Sequence, residues 1–273
     1  MPAQDDLAAT TASAASRDPT LAPAAFVDSD HPAVRAFAAA HAQGGNTRER
    51  VAALYLAVRD GFRYDPYRAD LTPHGMRAST VLEVGHGWCV TKAALLAAAC
   101  RSLGIPARLG FADVRNHLST ERLRQLMQTD LFIWHGYTDI FIDGRWLKAT
   151  PAFNIELCER FGLLPLEFDG SADSIYHPYD RAGQRHMEYV HQRGTFDDVP
   201  LAQIQADCAA LYPGWGHVPD EAALRAQAAA APTVEPDFEA DVRAETAAAA
   251  KAATATAAAT AAAAAARNPG KPA

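Results

Sequence analysis

One stretch limits the folds open to this chain more than any other, Gly85-His86-Gly87-Trp88-Cys89 followed by an Ala/Leu-rich run to Leu103 and then Gly104-Ile105-Pro106-Ala107-Arg108. The glycines at 85 and 87 loosen the backbone just ahead of a cysteine. Val90 to Leu103 has the composition of a strong helix, stopped by Gly104 at C′ with a proline just beyond. The run is apolar on every side, so the helix reads as a buried core element rather than a surface one. Cys89 then falls at its first turn, where unpaired N–H groups and the positive helix end favour a thiolate. A cysteine is more often a small buried hydrophobe. That reading suits Cys100, inside the apolar helix, better than Cys89 at its mouth.

Composition excludes some classes. The 273-residue chain carries a formal net charge of −7, which argues against a nucleic-acid partner or an anionic membrane held by charge. The cysteines at 89, 100, 158 and 208 form no CxxC pair and no dense disulfide pattern, which suits a reducing compartment. No run has the length and hydropathy of a membrane span, and no basic region followed by an apolar core opens the chain. Cytoplasmic localisation is the resulting expectation. Oligomeric state is not written in the sequence.

Read in order, residues 1–23 mix Ala, Thr, Ser, Asp and Pro without periodicity and are expected to form a disordered arm. Asp30 is placed as N-cap of a helix reaching Gly44-Gly45, and Asn46-Thr47-Arg48-Glu49 as a capping box opening a second helix to Gly61. Phe62 to Tyr67 is a non-helical connector, and Ser79 or Thr80 caps a short turn through Val81 and Leu82 before Gly85. Arg108 to Val114 alternates as a strand. A short polar helix from Ser119 or Thr120 through Met127 lies on the surface, over a possible cleft. Leu131–Ile142, Asp143-Gly144 and Arg145–Thr150 form the clearest hairpin, ended by Pro151. Asn154 is placed as N-cap of a helix to Phe161. Leu163–Phe168 and Met187–His191 are edge strands, and Pro200 opens a last amphipathic helix. The domain therefore spans 24–218. Residues 219–273 collapse to Ala-rich composition and are expected to be a flexible tail without tertiary packing, since they offer no apolar face.

The hairpin register adds chemistry. With Asp143-Gly144 as the loop, Ile142 pairs with Arg145 and Tyr137 falls opposite Thr150. His135 then shares a sheet face with Tyr137, diagonal to Thr150 at about 5.5–8 Å. A cysteine on a helix end and a histidine on a strand are the parts of an activated thiol, the imidazole taking the thiol proton and returning it to the leaving amine. The backbone N–H of Cys89 is a natural oxyanion donor, and Tyr64 a second one if it is not simply a packing residue. Trp88 fits a cleft wall and a core position equally. His86 reads as a solvated loop residue, Lys92 as leaning toward solvent or a carboxylate, and Arg108 as a structural ion-pair partner. A metal site from His74, His86, His117 and His135 matches no usual ligand spacing.

Tyr64, Val81-Leu82, Gly87-Trp88-Cys89, Lys92-Ala93, Leu95-Leu96, Arg101 and Gly104-Ile105-Pro106-Ala107-Arg108, with His135 and the Asp-Gly hairpin, together resemble the core of the transglutaminase-like superfamily. These papain-like cysteine enzymes include transglutaminases, peptide N-glycanases and many bacterial amidases or peptidases. The resemblance spans about residues 51–155. It implies an α+β fold, with N-terminal helices and a cysteine-bearing core helix packed on an antiparallel sheet. It also implies Cys89 as nucleophile and His135 as base in a hydrolase or acyltransferase acting on an amide, peptide or isopeptide bond of a peptide or protein, with no cofactor and no metal. One position departs from the pattern. Where the family usually has Asp, in the run Trp146-Leu147-Lys148-Ala149-Thr150-Pro151, this chain has Thr150. Thr150 as a weak acceptor, Asn154 as an amide, and Asp139 about 13 Å along the strand compete for the orienting role. The missing carboxylate also motivates the alternative, a non-catalytic module that uses the cleft to bind a peptide.

Overall fold

The computed structural model describes residues 18–116, 119–175, 187–215 and 237–267. Helix α1 (Pro32–His41) and helix α2 (Thr47–Gly61) come first, then the two-residue strand β1 (Arg63–Tyr64) and a 3-10 turn at Pro66–Arg68. Helix α3 (Ala78–Val84) and strand β2 (His86–Gly87) lead into the core helix α4 (Cys89–Ser102). Then follow β3 (Ala107–Asn116), α5 (Glu121–Met127), β4 (Leu131–Ile142), β5 (Arg145–Ala149), α6 (Ile155–Phe161), β6 (Met187–Phe196), α7 (Leu201–Leu211) and α8 (Phe238–Arg267). The main sheet is antiparallel in the order β5-β4-β3-β6, and β1 pairs with β2 in a small parallel sheet.

Every residue of α4 from Cys89 to Arg101 is buried. Its alanines let α1, α2 and α3 approach on one side and β3 and β4 on the other, so the helix has no solvent face to make polar. Gly104 ends it at φ +73°, as its place in the sequence requires. Two strand residues fix the distance to the sheet. Thr138 Oγ1 donates to the Ala93 carbonyl at 2.8 Å. A Cβ on Gly136 would lie 3.0 Å from Val90 Cα and 3.2 Å from the Cys89 carbonyl oxygen, so any larger residue would force β4 and the helix start apart by a few tenths of an ångström.

The hairpin has the expected register, Ile142 opposite Arg145 and Thr138 opposite Ala149, with Asp143 and Gly144 both at positive φ. Several boundaries differ from expectation. His31, not Asp30, caps α1, its Nδ1 accepting from the Ala33 N–H. Asn46 caps α2 through Oδ1, but the Glu49 carboxylate accepts from Gly45 N–H, so the box closes one residue outside its usual place. Helix α3 starts ahead of Ser79 and Thr80; Ser79 instead donates its hydroxyl to Asp28. Leu163–Phe168 is not a strand. Its Leu166 carbonyl accepts from Tyr55 Oη and Arg59 instead of a neighbouring strand. Strand β6 runs five residues past His191 and pairs with β3.

The ends of the chain also depart from expectation. Residues 18–22, assigned to the disordered arm, are tied to the body: the Thr20 carbonyl accepts from Ala107 N–H and the Ala22 carbonyl from Arg101. Part of the Ala-rich tail packs as well. Phe238 and Val242, on the first two turns of α8, are buried. The apolar anchors sit at the head of the tail, ahead of the Ala repeats that set its composition, which is why composition concealed them. The loop around Tyr176–Tyr179 and His117 lie outside the described residues.

Candidate active site

Cys89 is the first residue of α4, and strand β2 delivers it there. Gly87 pairs with Tyr64 of β1, and the Gly87 carbonyl accepts from Asp65 N–H at 2.9 Å. Trp88 occupies the N-cap position, its N–H donating to Thr91 Oγ1 at 3.1 Å. His135 approaches from β4 beside Gly136, the residue in contact with the start of α4. Cys89 and His135 line one small cavity of about 30 Å³, walled by Tyr64, Trp88, Ile133 and Trp215 and roofed by Leu123 and Met127 of α5. Cys89 is 6 % exposed and His135 4 %, so the pocket is nearly shut. The surface helix α5 lies over the cleft, as its position in the sequence suggested.

A bulge in β4 aims the histidine. Phe132 pairs with Val114 and His135 with Ala112, so Ile133 and Trp134 together face Asp113. Trp134 takes φ +59°, a conformation that non-glycine residues rarely adopt. It is held there by its N–H donating to Asp113 Oδ1 at 3.1 Å and its indole Nε1 donating to Asp207 at 2.9 Å. Arg193 bridges Asp113 and Asp207 and lies 4.3 Å from the Trp134 ring centre. On the other flank, Tyr212 Oη accepts from Ile133 N–H at 2.7 Å and donates to the Leu131 carbonyl at 3.0 Å. Sequence reasoning missed these supports. Gly136 alone carried a usable signal, a glycine inside an apolar strand next to the candidate base.

Two effects oppose each other on the Cys89 sulfur. Backbone N–H groups of Gly136, Val90 and Cys89 itself favour the thiolate, but burial outweighs them and pushes the thiol up to about 11. The expectation of a thiolate favoured by the helix end is therefore corrected in this closed cavity: the donors are present and desolvation dominates. Tyr64 lines the same cavity, with its phenol held well above the usual tyrosine range by burial, so its hydroxyl stays a donor. The indole N–H of Trp88 is buried with no acceptor among the described residues.

Thr150, Asn154 and Asp139 are the candidates for the orienting role. Thr150 is buried, its N–H donating to the Ser174 carbonyl and its carbonyl accepting from Tyr55 Oη, while Oγ1 makes no hydrogen bond among the described residues. Asn154 sits at the N-cap of α6 but does not cap it. Its Oδ1 accepts from Tyr64 N–H at 3.1 Å, and its Nδ2 donates to Glu156 at 2.9 Å and Glu239 at 3.3 Å. Neither hydroxyl nor amide is bonded to His135. Asp139 forms a two-point pair with Arg108, at 2.9 and 2.8 Å. Lys92, expected to lean toward solvent or a carboxylate, is fully buried and donates to the Arg59 and Phe62 carbonyls at the end of α2. His86 lines a second cavity of about 200 Å³ that shares Trp88 as a wall. Among the described residues, no three His, Cys, Asp or Glu side chains converge as a metal-ligand set.

Residues 35–151 match the family model described as the transglutaminase-like superfamily. A solved structure described as a "putative cysteine protease" from Cytophaga hutchinsonii is 19 % identical with a TM-score of 0.41, covering 67 % of this chain and 48 % of its own. A "putative protease" from Parabacteroides distasonis is 18 % identical with a TM-score of 0.30, covering 46 % of this chain and 26 % of its own. This chain thus spans about half the length of the first and a quarter of the second. No curated protein matches it. No helix among the described residues is long and apolar enough to cross a membrane.

Proposed function

From the match of residues 35–151 to the transglutaminase-like superfamily we propose that this chain is a member of that superfamily and a cysteine hydrolase acting on an amide, peptide or isopeptide bond. Cys89 Sγ attacks the carbonyl carbon as His135 takes the thiol proton. The carbonyl π-pair moves onto oxygen, which is met by the backbone N–H of Cys89 and the unsatisfied indole N–H of Trp88. Collapse of the tetrahedral intermediate expels the amine, protonated by His135, and leaves an acyl-enzyme. Water, deprotonated by His135, then releases the acid and the free thiol. Hydrolysis is preferred to transfer because water needs no acceptor site. In this reading the strand bulge at Trp134 places the imidazole, and the Asn154 amide serves Tyr64, Glu156 and Glu239.

The observation that carries this reading is the cavity lined by both Cys89 and His135. Iodoacetamide labelling followed by peptide mapping tests it. Labelling of Cys89 is expected to outpace that of Cys100 and Cys208, to rise with pH, and to slow about tenfold or more in His135→Ala. Labelling of Cys89 no faster than at the other two, and indifferent to His135, would favour the peptide-binding reading. The proton that burial keeps on the Cys89 thiol gives that second reading its support.

A further inference from the structure

The first two turns of α8 are tied to the roof of the Cys89 cavity. Phe238 packs edge-on to Tyr67 at 5.2 Å and to Tyr64 at 5.9 Å between ring centres, and Tyr64 is a cavity wall. One turn on, Asp241 Oδ2 accepts from Tyr67 Oη at 2.9 Å, and that phenol also shares a 2.6 Å hydrogen bond with Thr120 Oγ1, the N-cap of α5. A further turn on, Glu245 Oε1 accepts from the backbone N–H of Glu121 at 2.8 Å, and Oε2 lies 3.8 Å from Arg124. Glu239 pairs with Arg160 on α6, anchoring the other side. Helix α5 is seven residues long, and its Leu123 and Met127 roof the cavity. So short a helix has little stability of its own; its N-terminus is completed by Thr120 and by a carboxylate from α8.

We propose that the head of α8 is an autoinhibitory strap, which pins α5 shut over Cys89 and must lift before a substrate carbonyl can reach the sulfur. The attachment suits reversible release. Beyond Val242 the described side chains of α8 are mostly exposed, so the helix is held at its head only. Both Arg124 and Glu245 are exposed by more than a third, so that tie is weak and screened by salt. Closure also accounts for the burial that keeps the Cys89 thiol protonated. The consequence for activity rests on the proposed thiol chemistry; the closure itself does not.

The test is the iodoacetamide alkylation rate of Cys89 in the full-length chain, with Cys100 as internal control because it lies inside α4. The rate follows the fraction of molecules with the roof open. Glu245→Gln, a surface change that leaves the fold intact, is expected to raise the Cys89 rate about threefold, and Phe238→Ala by about tenfold or more, with Cys100 unchanged. Hydrogen exchange of the Glu121–Met127 amides is expected to speed up in both variants while α4 stays protected. The strap is overturned if Glu245→Gln changes neither the Cys89 rate nor α5 exchange. It is equally overturned if Phe238→Ala speeds Cys89 and Cys100 alike, which is general loosening. Faster alkylation in these variants without any dependence on His135 would sink the hydrolase reading and leave the strap standing.

Discussion

The sulfur of Cys89 is held between donors that would ionise it and packing that forbids it. Cys100 and Cys208 are raised in the same direction, each to about 12, against about 11 for Cys89, and burial leads in all three. Between pH 9 and those values the folded chain keeps protons that the unfolded chain has released. Stability from these thiols is thus complete below about pH 9 and lost as pH rises toward 11–12, by up to about 1.4 kcal/mol per pH unit for each group. A denaturant titration at pH 8 and pH 10 is expected to show the lower midpoint at pH 10. Trp88→Phe keeps the ring and removes the unsatisfied N–H. If that group meets the oxyanion, the variant loses about 10²-fold or more in Cys89-dependent turnover of p-nitrophenyl acetate. Iodoacetamide alkylation, which forms no oxyanion, should stay at the wild-type rate.

Among the elements, the contact between β4 and α4 decides the site. Gly136→Ala must push the strand off the helix start, at a cost of about 1–3 kcal/mol, and carry His135 with it. Its expected signature is a lowered thermal midpoint together with the loss of His135-dependent labelling of Cys89. This contact also shows which parts of the site were legible in sequence. Cys89 at a helix start followed from Gly87 before it and Gly104-Ile105-Pro106 after it, which are local signals. His135 on the face of the hairpin followed from Asp143-Gly144, because turn type sets register. The bulge at Trp134 was not legible, since it depends on Asp113, Asp207 and Arg193, which come from three separate elements. The reading of Asn154 as a helix cap failed for a similar reason. Its helix N-cap position is local, but its amide partners at Tyr64 and Glu239 lie far away in the chain.

At the scale of the molecule, Arg101 joins three segments. It donates to the carbonyls of Ala22, Ala107 and Asp197 at 2.9, 2.8 and 2.6 Å. Arg101→Met leaves three acceptors without their donor, and should cost at least about 2 kcal/mol in equilibrium unfolding. Near-wild-type stability would show that these carbonyls find water instead. The same scale separates two kinds of information. By itself the sequence determined the buried helix with a cysteine at its start, and the hairpin with its register and a histidine on it, because each follows from periodicity, capping or turn chemistry within a short span. Only the tertiary structure decided that the thiol is shut away and kept protonated by burial, that the Asn154 amide bonds Tyr64, Glu156 and Glu239, and that the head of an Ala-rich tail packs against the cavity wall Tyr64. Desolvation and long-range hydrogen bonds depend on what the rest of the chain brings alongside, and no local pattern records that.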